Sequence, residues 1–259
     1  MPARKLVQDL QVIENIRLNK RHFILELLAP EKLPLIFPGQ FVQALVENSS
    51  STFLRRPLSI HSVDIKRNTL RLLIQIKGEG TRHLGLLHAG DTLNLIYPLG
   101  NSFTITKEKE VLLVGGGCGV APLLFLAQTL KQNNIEPVIL LGFRTRAEVS
   151  EIDLYSQSGK VIITTDDGTE GIKGLVTDHP IFLKDRLPFK KVYCCGPGLM
   201  MKAVAGIAEI QGIDCEVSLE NMMACGFGVC LCCVTPTDKG NERVCMEGPV
   251  FNTKSLQWP

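Results

Sequence analysis

The sequence predicts a small antiparallel β-barrel, then a doubly wound α/β domain, then a short C-terminal loop segment rich in cysteine. Three observations carry this. Short alternating apolar runs punctuated by turn residues fill the first ~105 positions. After residue 106 the rhythm becomes buried strand, glycine turn and apolar helix, which marks a parallel sheet with crossover helices. The last ~40 residues hold five of the nine cysteines and too few apolar residues for a core that stands without a metal. The expected domains are 1–105, 106–215 and 216–259.

In the first domain, strands are expected at 8–15, 22–28, 40–46, 57–62, 70–76 and 92–96. Turns are signalled by Pro38-Gly39, Gly78-Glu79-Gly80 and Ala89-Gly90-Asp91, with one short helix at 81–87. Evenly spaced short strands of this kind close into barrels. In the second domain, strands are expected at 111–114, 138–141, 161–165, 192–195 and 214–219, and helices at 121–131 and 199–211. No internal repeat or low-complexity tract interrupts them.

Composition excludes several classes. A chain of 259 residues buries a sizeable core. Its apolar runs are strand-length, far too short to span a bilayer, so no membrane partner is expected. The net charge is +2 without a basic block, which gives nucleic acid no footprint. The basic start at residues 1–5 lacks the apolar stretch of a secretory signal, and many free cysteines without one fit a reducing cytoplasm.

The most specific stretch is Cys225-Gly226-Phe227-Gly228-Val229-Cys230-Leu231-Cys232-Cys233, with Cys245 after a short polar insert. Cys225, Cys230, Cys233 and Cys245 stand as C-x4-C-x2-C…C, the plant-type spacing for a [2Fe–2S] cluster. Gly226 and Gly228 permit the positive-φ turns that wrap a loop around such a core. Zinc is the second reading, but structural zinc usually takes two close cysteine pairs and only one C-x2-C is present. Cys232, beside Cys233, is left out of the ligand set. A one-electron carrier points to electron transfer.

Other motifs fit dinucleotides. Arg56-Pro57-Leu58-Ser59 offers a forked cation for a flavin pyrophosphate and a small hydroxyl three residues on, although Arg-Arg-Pro alone also reads as a surface edge strand. Gly80-Thr81 opens a helix whose free N–H groups suit phosphate, with Thr81 as the expected cap. The run Gly115-Gly116-Gly117-Cys118-Gly119-Val120-Ala121-Pro122 follows a buried strand and opens a helix. Gly116, Gly117 and Gly119 would let the backbone approach a dinucleotide, and Cys118 is read as packing. Cys195-Gly196-Pro197 ends a later strand, where a nicotinamide ring would lie. Asp166-Asp167-Gly168 is read as a turn. No Ser/His/Asp triad or paired catalytic carboxylate is evident, and the five histidines lack metal spacing.

Taken in order, these segments resemble the ferredoxin-reductase superfamily. With the cysteine loop, Ser218-Leu219-Glu220 and Glu247-Gly248-Pro249-Val250-Phe251, the chain resembles the electron-transfer subunit family of bacterial dihydroorotate dehydrogenase B. The resemblance implies FAD, one [2Fe–2S] cluster and NAD as cofactors. It implies a partner, the FMN-containing dihydroorotate dehydrogenase catalytic subunit, in a heterotetramer of two of each. It further implies that Arg56, Pro57, Leu58 and Ser59, then Leu73, Ile74 and Gln75, then Gly80 and Thr81 touch FAD, and that Cys225, Cys230, Cys233 and Cys245 bind iron. Gln75 departs from the basic or aromatic residue expected there. In that family dihydroorotate is oxidised in pyrimidine (UMP) synthesis and electrons pass from FMN through the cluster and FAD to NAD+. The alternatives are the small subunit of an NAD(P)H:ferredoxin oxidoreductase or sulfide dehydrogenase, and a zinc-stabilised binding module without catalysis.

Overall fold

The computed structural model describes residues 5–47, 49 and 51–258; residues 1–4 of the basic start lie outside the described residues. Strands β1 (Leu6–Arg17), β2 (His22–Leu28), β3 (Phe41–Ala44), β4 (Arg56–Asp64) and β5 (Thr69–Gln75) are followed by helix α1 (Glu79–Leu84) and β6 (Thr92–Leu99). The six strands close as an antiparallel barrel in the order β1-β2-β5-β4-β3-β6. Alternation explains the closure. On β3, Val42 and Ala44 enter the barrel core with Leu25, Leu72 and Leu95, while Phe41 and Gln43 leave by the opposite face.

Helix α1 begins two residues before its expected start. Gly78 is its N-cap, and Thr81 sits inside the first turn. The Thr81 hydroxyl accepts hydrogen bonds from the Lys77 and Gly78 N–H groups and donates to the Gly78 carbonyl. It therefore caps the helix from inside its first turn, reaching back to the N–H of Gly78, rather than from the N-cap position.

The second domain comprises β7 (Val111–Gly116), α2 (Ala121–Gln132), β8 (Val138–Phe143), α3 (Ile152–Ser156), β9 (Lys160–Thr165), β10 (Ile172–Lys173), β11 (Lys191–Cys195), α4 (Gly198–Ile210) and β12 (Asp214–Ser218). The C-terminal segment adds β13 (Val234–Thr237), β14 (Gly240–Arg243) and β15 (Val250–Asn252). The sheet runs β10-β9-β8-β7-β11-β12-β15, parallel throughout except for β15, which lies antiparallel on β12. Strand order reverses between β7 and β11, the place where such sheets bind ligands. The expected boundary at 215/216 falls inside β12. Among the described residues no helix is long and apolar enough to cross a membrane.

Barrel and sheet share one core. Ile24 and Leu73 of the barrel pack with Leu113, Leu124 and Tyr193 of the second domain. Polar ties frame it. His61 on β4 joins the Ala121 carbonyl through Nδ1 at 2.7 Å and Glu151 through Nε2 at 2.8 Å. Buried Glu216 accepts from the Thr104 N–H at 3.0 Å, the Thr104 hydroxyl and the Lys191 ammonium at 2.8 Å. Lys191 also holds Asp214. Burial pushes the Asp214 carboxyl up, but its bonds to Lys191 and Asn252 outweigh this and hold it below the usual range.

Glu216→Ala would strip three donors of their acceptor and leave Lys191 buried beside Asp214 alone. Breaking a buried pair costs about 3–5 kcal/mol, and the remaining carboxylate puts this one near the low end. Urea unfolding would show it as a lowered midpoint. Asp214 acts on the acid side. Its contribution is complete above the ordinary aspartate pKa of about 3.9 and fades as pH falls through the lower folded-state value. Asp214→Asn should flatten that acid limb of stability in a pH series of unfolding curves.

Candidate functional site

The two phosphate-type signals, far apart in sequence, meet in space. Gly80 at the start of α1 lies against the Arg56 guanidinium on β4. A Cβ added at Gly80 would stand 2.8 Å from Arg56 Nε and 3.0 Å from Thr52 Cγ2. The missing side chain is thus what lets the cation sit over the helix start, a combination suited to a pyrophosphate. Arg56, Pro57, Leu58 and Ser59 are all half-buried, whereas Ile60, His61 and Ser62 after them are buried. On β5, Leu73 enters the core shared with the second domain and Ile74 the barrel core, so Gln75 is the residue of the three that lines the cleft.

That cleft is a cavity of about 1160 Å³ at the carboxyl ends of β7, β8, β9, β11 and β12. It is large enough for a nicotinamide dinucleotide beside a flavin edge. Gly116, Gly117, Gly119, Gly196 and Pro197 line it, and Gln75 and Lys77 bring the barrel to its rim. The β7 and β11 turns touch through their backbones. A Cβ on Gly119 would lie 2.4 Å from Gly196 Cα and 2.5 Å from the Cys195 carbonyl oxygen, and one on Gly116 would meet Met200 Sδ at 2.4 Å. Glycine is required here by close approach. Cys195 is not in the cavity wall: it is 2% exposed, and burial pushes its thiol well above the ordinary range. Asp166 reaches the cavity, while Asp167 makes the turn, its carboxylate accepting from the Thr169 N–H and hydroxyl.

The cysteine loop is built for thiolates. Burial pushes the Cys225 thiol up, but N–H groups of Phe227, Cys230 and Val229 aimed at the sulfur outweigh it and bring it down to about 6. Gly226 at φ +76° and Gly228 at φ +90° turn the chain so that those N–H groups converge. The polar insert is the β13–β14 hairpin. Its pairing returns Val244 to the Cys233 carbonyl at 3.0 Å and sets the Cys245 N–H on Cys233 Sγ at 3.4 Å. Burial and the neighbouring Cys233 thiol push Cys245 up to about 12. Cys225 has Cys230 beside it and Cys245 has Cys233, and the Cys225 thiol also acts on Cys245. Among the described residues no three such donors gather tightly enough for one metal ion. The C-x4-C-x2-C…C order of these four thiols is the one that suits a two-iron core. Cys232 turns away, its thiol near the Met222 carbonyl at the surface.

Comparison with known proteins bears on the whole chain. A family model described as the iron-sulfur cluster binding domain of dihydroorotate dehydrogenase B matches residues 220–257. A dihydroorotate dehydrogenase B (NAD(+)) electron transfer subunit of Fusobacterium nucleatum is 36% identical over 97% of this chain and 98% of its own length. That of Caldanaerobacter subterraneus is 40% identical over 83% of this chain and 84% of its own length. The chain belongs to this family of electron transfer subunits. In three dimensions it is also similar to a chain of the NADH-dependent reduced ferredoxin-NADP oxidoreductase, with a TM-score of 0.87 and 29% identity, covering 96% of this chain and 90% of that one.

Within the family fold, several cleft residues carry no signal in the sequence. Lys77, Asn221 and Trp258 line the cavity from three different parts of the chain, beside Glu220 of the Ser218-Leu219-Glu220 segment. Trp258 is the single tryptophan, which is the one compositional hint available.

Arg56→Ala should weaken FAD binding by about tenfold to a hundredfold, the worth of one charge-assisted hydrogen bond. Gly80→Ala should act in the same direction by displacing Arg56. Flavin retained on dilution measures both. Gly119→Ala should leave FAD in place but weaken NADH binding by at least about tenfold, since the two turns must part. Quenching of flavin fluorescence on NADH titration reports it.

Proposed function

We propose that the chain is the electron-transfer subunit of an NAD-dependent dihydroorotate dehydrogenase of pyrimidine biosynthesis. The observation that carries this reading is the cysteine loop, four thiols served by converging N–H groups, seated between a barrel with a phosphate cradle and a glycine-lined cleft. When bound, FAD joins the two-electron chemistry of NAD to the one-electron chemistry of the cluster, receiving electrons that originate on the partner's FMN.

The chain's own residues bind and orient. Arg56 and the α1 start at Gly80-Thr81 would hold the FAD pyrophosphate, Pro57, Leu58 and Ser59 would contact the flavin, and Leu73, Ile74 and Gln75 supply the adjacent strand. Gly116, Gly117 and Gly119 would receive the NAD phosphates and Gly196 and Pro197 would shape the nicotinamide bed, with Cys195 behind them, its carbonyl packed on Gly119. Cys225, Cys230, Cys233 and Cys245 hold the iron. Three functional units follow: 1–105 for FAD, 106–215 for NAD and 216–259 for the cluster. Two copies pair with two FMN-bearing catalytic subunits in the cytoplasm.

The tip of the cysteine loop supports a contact with that partner. Met222, Val229 and Leu231 are 85%, 74% and 60% exposed, an apolar group beside the cluster ligands. The structural neighbour makes the small subunit of a ferredoxin oxidoreductase the second reading. Identity to the dihydroorotate dehydrogenase subunits over nearly the whole chain, and four cysteines in place, favour the first.

Anaerobic purification with whatever accompanies the chain tests this. Two irons and one FAD per chain, with FMN on a co-purifying protein that oxidises dihydroorotate, is the expected result. Zinc without flavin, or an iron–sulfur partner in place of the FMN protein, would overturn it. Val229→Asp should weaken the assembly by at least about tenfold while iron and FAD contents stay unchanged, read by analytical ultracentrifugation.

A further inference from the structure

Gln43 is 0% exposed, yet neither its amide nitrogen nor its amide oxygen has a hydrogen-bond partner. Among the described residues it is the one side chain left unpaired at both ends. Buried amides in native proteins are almost always satisfied, and an apolar side chain of the same length would fill this place without that penalty. An orphan of this kind needs an explanation.

Its position supplies one. Gln43 stands on the outer face of β3, because Val42 and Ala44 on either side of it enter the barrel core. Phe41, two residues away on the same face, packs with Cys233 and Cys245. What covers Gln43 is the cysteine loop: a Cβ on Gly226 would lie 2.5 Å from both Gln43 Cγ and Nε2. The amide nitrogen is the polar end that lies against Gly226, the residue directly after Cys225. On the neighbouring strand, Gln43 pairs in register with Pro57 of β4, and Phe41 with Ser59. The face that carries the amide is therefore continuous with the one that carries Pro57 and Ser59.

We infer that Gln43 Nε2 is the barrel's hydrogen-bond donor to the cluster, on a sulfur at the Cys225 side, and so a positioning residue that raises the cluster's reduction potential. The inference rests on the cluster reading given above. An N–H donor favours the more negative, reduced state of an iron–sulfur centre, and such bonds are among the main controls of its potential. Gly226 has a second role on this account: besides its positive φ, it leaves room for the amide to reach past the loop.

The test is an EPR-monitored redox titration of the holo complex, wild type against Gln43→Leu and Gln43→Met, with iron and flavin assayed on each. Loss of the donor should lower the equilibrium constant for cluster reduction about tenfold, a downward shift of about 59 mV for a one-electron couple. Wild-type protein labelled with ¹⁵N in its glutamine side chains should show a nitrogen coupling to the reduced cluster, a reading that needs no variant to assemble. Full iron with an unchanged potential in the variants, or no ¹⁵N coupling in the wild type, would overturn the inference and leave the cluster reading standing. Wild-type protein without iron would overturn both.

Discussion

The segment that ends in β15 is held from both sides, and the arrangement of the rest follows from that. Toward the sheet, Val250, Phe251 and Asn252 pair with Ser218, Val217 and Glu216, and the Leu219 N–H donates to the Pro249 carbonyl at 2.8 Å. Toward the barrel, Asn101 donates to the Glu247 and Val250 carbonyls and accepts from the Val250 N–H. A segment with its backbone groups satisfied on two bodies at once must sit where they meet. The cysteines that precede it are thereby carried to the outer face of β3.

The same junction defines the cleft. Chain from the barrel, from the β7 and β11 turns and from the C-terminal tail lines a single cavity. The Gly119 and Gly196 backbones touch with no room for a side chain between them, so the two turns pack as one unit. Buried Lys191 and Glu216, with half-exposed Asp214 and with Thr104 from the interdomain connection, hold the far end of the interface. The Arg56–Gly80 contact and the glycine-lined cleft are thus framed by the core that barrel and sheet share, and the cysteine loop by a second cluster in which Phe41 and Leu99 of the barrel meet Cys233, Cys245 and Phe251. That suits electron transfer, which depends steeply on fixed distances between centres.

Much of this was legible in the residues. The barrel strands alternate, the α/β strands are continuous apolar runs, and each leaves a local period. The helix over 199–211 and the strand over 22–28 lie within a residue of β2 and α4 as observed. What escaped had no period to find. The two-residue β10, the β13–β14 hairpin and the three-residue β15 are too short for one, and α3 is a single turn. Thr81 does cap the helix, but from inside its first turn by bonding backward to Gly78, so the helix starts earlier than the residue order suggests.

The sequence by itself determined the chemistry: four thiols at iron–sulfur spacing, glycines where backbone must come close, a cation ahead of a helix start. Those properties live in residue type and local order, so they can be read one segment at a time. Only the tertiary structure decided that Arg56 meets Gly80, that Cys245 returns to Cys233, that Cys195 turns its thiol into the core, and that Gln43 faces Gly226. Each of these depends on contacts between residues far apart in the chain. Such contacts are set by how sheets, barrel and loops pack, and they leave no mark on the order of neighbouring residues.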